Sequence, residues 1–185
     1  NKTGTDYSSN NFLNSAFSGA EQRAIRMTNV VNDDNPYYGT AGGNDTSDKV
    51  YLLSIDEVTN PAYGFSSDYS KNDEARRAKN TAYVAGGGEI KSGVMNSAGS
   101  ADWWWLRSPG INSIDASDVS SSGDVYRDGP IVYGSSVAAR AALHINLSST
   151  SSWSYAGTVT SNGGETETVT PTPGAATGES PESVE

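Results

Sequence analysis

The chain contains no cysteine. That excludes disulfides, thiolate metal ligands and cysteine nucleophiles, and leaves the compartment undecided. Histidine occurs once, at His144. A metal site built from several imidazoles is therefore excluded, and a Ser-His-Asp triad would have to use that single ring, which stands far from any nucleophile-elbow pattern. Apolar residues are 35% of the 185, few for a globular domain. No run approaches the roughly 18 consecutive apolar residues of a membrane helix, so no membrane insertion is expected. Basic residues are scarce too: 12 Lys and Arg face 22 Asp and Glu, a net charge of -10. Nucleic acid needs cations to displace its counterions, so it is not an expected partner. The acidity reads as solubility. No secretory leader opens the chain, which starts at NKTGTDYSSN. The expectation is an excised piece of a longer protein, flanked by neighbouring domains of the same chain.

What is present divides unevenly. Residues 1–150 hold the apolar clusters and every Lys and Arg, the last being Arg140. Residues 151–185 are Ser, Thr, Pro, Gly and Glu with almost no large apolar group beyond Val159. Such a segment buries too little surface to offset chain entropy and reads as a linker or tail, with Trp153 and Tyr155 able to dock back on the domain.

Ser18 followed by Glu21 has capping-box spacing and predicts a helix over about 19–28, with Ala20, Ala24, Met27 and Val31 on one face. The segment DNPYYGTAGGNDTSD reads as a loop, KVYLLSI as a buried strand, and SIDEVTN as a second capped helix ended by Pro61. KNDEARRAKNTAYVA reads as a helix or turn with Arg76 and Arg77 on its solvated face. AGGGEIKSG lacks the phosphate-loop spacing and reads as a loop. From Asp102 the text becomes short strands and turns: WWWLRS, SDVSSSGDVYRD, PIVYG and AARAALHINLS. Helices first and then a meander of strands indicate an α+β fold.

Three consecutive tryptophans dominate that second half. In a strand, Trp103 and Trp105 share one face while Trp104 and Leu106 share the other. At least one pair belongs to the core, and Trp103 is the candidate for an exposed stacking surface. Arg107 and Arg140 read as structural braces beside the tryptophans. In ALHINL the alternation turns His144 away from the core side.

The order DKVYLLSIDEV, TAYV, WWWLRSPG, DVSSSGDVYRDG and AARAAL resembles an uncharacterised domain family of surface and secreted proteins of Gram-positive bacteria, including gut species. Its members resemble the formylglycine-generating-enzyme version of the C-type lectin fold. The resemblance runs from about Asn10 to Leu147. Its most specific part is Trp104-Trp105-Leu106-Arg107-Ser108-Pro109-Gly110, joined by Trp103 and by Arg140 near the last strand. One departure is Ala141 where the family carries proline after the arginine.

The resemblance implies a C-type-lectin-like domain with N-terminal helices, short antiparallel strands and a bacterial extracellular or cell-surface location. It also bears on chemistry. Formylglycine-generating enzymes use cysteine, which is lacking, and the related sulfoxide synthases use three histidines where this chain has one. The Glu-Pro-Asn and Trp-Asn-Asp calcium–sugar signature of lectins is lacking as well. Asp33, Asp34, Asp45 and Asp48 supply loop oxygens that turn chemistry explains. No cofactor is expected, with calcium the lesser alternative.

The exposed ligand face of this fold corresponds to residues 111–136. Its mix of Ser, Asn, Asp, Tyr and isolated apolar residues suits adaptable recognition. The candidate contacts are Ile111, Asn112, Ile114, Asp115 and Asp118, and then Asp124, Tyr126, Arg127, Asp128 and Tyr133. Variable proteins of diversity-generating retroelements resemble this fold and diversify the same region. The functional expectation is a non-enzymatic adhesion module whose partner is a protein or a glycan. A structural spacer without a ligand is the alternative. A glycan-acting enzyme is the weaker third, and it would require a buried cleft holding titratable groups of perturbed pKa.

Overall fold

The computed structural model describes residues 11–85, 99–134 and 136–146. The tail, Trp153, Tyr155, the Gly86–Gly88 loop and Leu147 lie outside the described residues.

Two capping boxes start helices where their spacing places them. In α2 (Gly19–Ala24), the Ser18 side chain accepts from the Glu21 amide while Glu21 accepts from the Ser18 amide. In α3 (Ile55–Val58), Ser54 and Glu57 do the same. A shorter helix, α1 (Phe12–Ala16), is capped by the Asn11 side chain. The expected helix over 19–28 stops at Ala24 because the backbone finds partners elsewhere: the Arg26 amide donates to His144 O, and the Asn146 amide donates to Ala24 O. The chain then enters β1 (Thr28–Val30). Ala20 is exposed, and so are Met27 at 60% and Val31, so the proposed apolar face does not form.

The loop read over 34–48 ends in β2 (Thr46–Asp48), antiparallel to β1. Nothing in the Thr-Ser-Asp composition favours a strand; the ladder with β1 supplies it. KVYLLSI contributes only β3 (Tyr51–Leu52), half-buried and paired with β9 (Ala141–Ala142). KNDEARRAKNTAYVA forms turns, β4 (Ala78–Lys79) and α4 (Ala82–Ala85), with β4 pairing β5 (Ala101–Asp102).

The placement of Arg76 on a solvated face is overturned. Arg76 is 0% exposed, whereas Arg77 is exposed. The Arg76 guanidinium donates to five backbone carbonyls: Gly123, Val58, Ser66, Asp68 and Lys71. Its own carbonyl accepts from Trp104 Nε1 at 2.9 Å. A group with five donors and no acceptor here ties loops that lack regular ladders.

The centre is a three-stranded antiparallel sheet of β6 (Trp104–Pro109), β7 (Ala116–Val119) and β8 (Val125–Tyr126), in the order β6-β7-β8. Its register sets Trp104 and Val125 opposite Val119, and all three are buried. With Leu106, Ile55 and Val58 they form the core. The whole is a small mixed α/β domain of few, short helices and short antiparallel strands, consistent with α+β. PIVYG forms a turn after an isolated bridge between Asp115 and Ile131.

Arg107 and Arg140 brace the core. Arg107 pairs with Glu57 and donates to Val31 O and Leu52 O, joining the tryptophan strand to the α3 capping box. The Arg140 guanidinium lies 4.9 Å from the centre of the Trp104 ring. Among the described residues no helix is long and apolar enough to cross a membrane.

Candidate functional site

Residues opposed in an antiparallel register stand on the same face of the sheet. The core takes one face through Trp104, Val119 and Val125. The other face carries Asp118, opposed by Trp105 on one side and Tyr126 on the other. Trp103, two residues before Trp105, meets Tyr126 edge-on with ring centres 4.8 Å apart. The triplet is thus divided: Trp104 is 1% exposed in the core, and Trp103 and Trp105 are half-buried.

A cleft of about 500 Å³ opens on this second face. Trp103 and Tyr126 wall it, Asp118 lies at its base, and Asp102, Asp128 and Pro130 border it. No Lys, Arg or His lines it among the described residues. Asp118 is 0% exposed, and neither of its carboxylate oxygens has a hydrogen-bond partner. Burial pushes its carboxyl up to about 7, helped by the charges of Asp128 and Asp124. A wider depression of about 1470 Å³ is bordered by the two ends of the segment outside the described residues, from Ala78 to Thr81 and from Gly99 to Asp102. It holds no comparable orphaned group among the described residues, whereas the smaller cleft holds Asp118.

The raised carboxyl has a measurable consequence. Between pH about 4 and 7 the folded chain keeps a proton on Asp118 that the unfolded chain releases. Stability from this group is therefore complete below pH about 4 and is lost as pH rises through about 7, by an amount on the order of 4 kcal/mol. Melting temperatures of the wild type and Asp118→Asn, measured from pH 4 to 8, should diverge with the variant gaining as pH rises. Parallel curves would contradict an orphaned carboxyl.

Two glycines let the strands approach closely. Gly129 has a φ of 54°, and a Cβ there would lie 1.7 Å from Ala116 O. A Cβ on Gly110, the last residue of the tryptophan signature, would lie 2.2 Å from Asp128 O. The glycine directly after β6 is thus a packing requirement, with the Gly110 amide donating to Asp115 O at 2.7 Å.

The ten candidate contacts separate by environment. Ile111, Ile114, Tyr126 and Tyr133 are exposed, Tyr133 most at 77%. Asn112 is exposed and donates to Asp115, which is buried. Asp124 is half-buried and accepts from Ser120 Oγ. Arg127 is committed internally: its guanidinium sits 3.4 Å from the centre of the Tyr37 ring and 3.5 Å from that of Tyr69. Asp128 is exposed at the cleft border. Only Asp118, Tyr126 and Asp128 of the ten line the cleft.

Sequence reading missed the Tyr37-Arg127-Tyr69 sandwich. It also missed Asn35, which is buried and donates to Pro109 O and Arg127 O. The Asn-Pro signal identified that loop as a breaker and carried no information about its anchor.

His144 is exposed, with Thr28 Oγ1 at 3.0 Å and Tyr51 OH at 3.3 Å from Nδ1. Asp34 accepts from the Gly42 amide and Asp45 from the Asn32 amide, 8 and 13 residues away, so both acids tie loop to loop rather than closing the local Asx turns expected. Among the described residues no cluster of three or more His, Cys, Asp or Glu is arranged to hold a metal ion.

Among the described residues the geometry defines a small mixed α/β domain with an anionic, aromatic-walled cleft. The chain belongs to the family described as Domain of unknown function (DUF6273), whose model matches residues 5–147. No curated protein and no solved structure matches it.

Proposed function

We propose that the chain is a non-enzymatic recognition module with the C-type-lectin-like fold, displayed at a bacterial cell surface and binding a protein through its 111–133 face. The observation that carries this reading is the exposed apolar group beside the cleft. Ile114 and Val132 are more than half exposed and are joined by a hydrogen bond from the Val132 amide to Ile114 O at 3.0 Å. Ile111, Ile131 and Tyr133 lie alongside them in the chain and are also exposed. Contiguous exposed apolar surface next to polar anchors suits a protein partner better than a neutral glycan.

The test is capture of bacterial and host surface proteins on an array by the full chain, beside Ile114→Asp/Val132→Asp. Surface changes of this kind alter stability by about 0.5 kcal/mol or less, so both proteins should melt alike. The double variant should lose captured partners at least about tenfold. Capture indifferent to the substitutions would remove this face from the reading and favour a spacer domain.

A glycan-acting enzyme is the second reading. Asp118 favours it, because a protonated acid beside the carboxylate of Asp128 is what acid–base hydrolysis needs. Turnover of an oligosaccharide, rather than stoichiometric capture, separates the two.

A further inference from the structure

The cleft holds one carboxyl, Asp118, to which the described residues offer no hydrogen-bond donor. Asp118 is wholly buried on the central strand, it borders the cleft, and both its oxygens lack a donor. Asp128 after β8 borders the same space and Asp124 before β8 adds its field, while Asp102 on β5, also at the border, accepts from Asn80 Nδ2 and the Trp103 amide. Arg127, beside Asp128 in the chain, is sandwiched between two tyrosines. The walls are the rings of Trp103 and Tyr126.

A buried carboxyl at the base, a carboxylate at the border and aromatic walls make a site for an organic cation. The acid supplies charge-assisted acceptors, and the ring faces attract positive charge. A neutral hydroxylated ligand would satisfy hydrogen bonds and leave the mutual repulsion of the acids in place.

We propose that this cleft receives a primary ammonium, the side chain of a lysine on a protein partner, with Asp118 as its anchor. This rests on the reading of the 111–133 face as a protein-binding surface. The choice of a protein source follows from position: Pro130 borders the cleft and Ile131 and Val132 follow it directly, so the apolar group is continuous with the rim. Asp118 has no exposed surface, so a slender ammonium on an alkyl stem reaches it by displacing a side chain at the cleft base while its own chain packs on that rim.

The experiment titrates the full chain at pH 8 with n-butylammonium, and separately with n-butanol, methylguanidinium and maltose, following the Trp103 indole N–H by NMR. Butylammonium should move that signal saturably and raise the melting temperature. n-Butanol and maltose should not, and methylguanidinium should bind more weakly. Asp118→Asn, which is expected to fold with at least wild-type stability, should reduce butylammonium affinity at least about tenfold. Affinity should rise as pH increases through about 7, as Asp118 gives up its proton.

A short peptide with lysine flanked by leucines should bind more tightly than butylammonium and lose that gain in Ile114→Asp/Val132→Asp. Equal binding of n-butanol or maltose, or undiminished binding by Asp118→Asn, would overturn the ammonium site. Peptide no tighter than butylammonium would overturn the protein source. Array capture that survives while butylammonium fails would overturn this inference and leave the protein-binding face standing.

Discussion

Arg76→Met should leave the domain largely unfolded at 37 °C. The substitution keeps a long apolar stem and removes all five guanidinium donors. Five carbonyls, from Val58, Ser66, Asp68, Lys71 and Gly123, then lose their partner. Each orphaned buried acceptor costs about 1–3 kcal/mol where water cannot reach it. Even with water entering from the loop side, the loss should exceed about 4 kcal/mol, a large part of the roughly 5–15 kcal/mol that holds a domain together. Arg76→Lys should recover little, because one ammonium cannot reach five acceptors spread over a planar fork. Urea titration followed by tryptophan fluorescence reports this directly, since Trp104 Nε1 donates to the Arg76 carbonyl. A midpoint within experimental error of wild type would mean that the loops hold themselves.

Arg76 also marks where sequence reading reaches its limit. The two capping boxes were legible because Ser18–Glu21 and Ser54–Glu57 are local: donor and acceptor lie three residues apart and need nothing else. The division of the tryptophans was legible because strand alternation is local too, and Trp104 with Leu106 faces the core as alternation requires. The adjacent arginines at 76 and 77 carry no such signal. Arg76 collects carbonyls as far away as Gly123, and only the closed fold puts them within reach.

The same physics shortened α2. Its capping signal is genuine, but its end is decided by hydrogen bonds to His144 and Asn146, more than a hundred residues on. β2 was unreadable because Thr-Ser-Asp becomes a strand only through its partner β1. At the site, the segment 111–136 was legible as a polar, irregular face. Which of its acids matters was not. Asp115, Asp118, Asp124 and Asp128 look alike in sequence, and register, burial and missing donors single out Asp118.

Trp104→Ala and Trp103→Ala, one residue apart, should have opposite consequences. Trp104 is 1% exposed among Ile55, Val58, Leu106, Val119 and Val125, and Arg140 lies over its ring. Truncation opens a large cavity at the meeting of β6 and β7 and should cost about 3–5 kcal/mol, lowering the melting temperature by roughly 6–20 °C at about 2–4 °C per kcal/mol. Trp104→Phe should lose less, because the ring volume largely stays while the hydrogen bond to Arg76 O goes. Trp103 is half-buried, and its edge contact with Tyr126 is worth about 1 kcal/mol. Trp103→Ala should therefore melt within a few degrees of wild type, about 2–4 °C lower, while removing one wall of the cleft and weakening butylammonium binding. Differential scanning calorimetry and the ammonium titration, run on both variants, check the pair. If Trp103→Ala proved as damaging to stability as Trp104→Ala, the second face would be core, and the cleft above Asp118 would be a packing flaw. If stability and binding separate as expected, the triplet does two jobs by alternation alone: one tryptophan turned inward to hold the sheet, its neighbour turned outward to frame the acid.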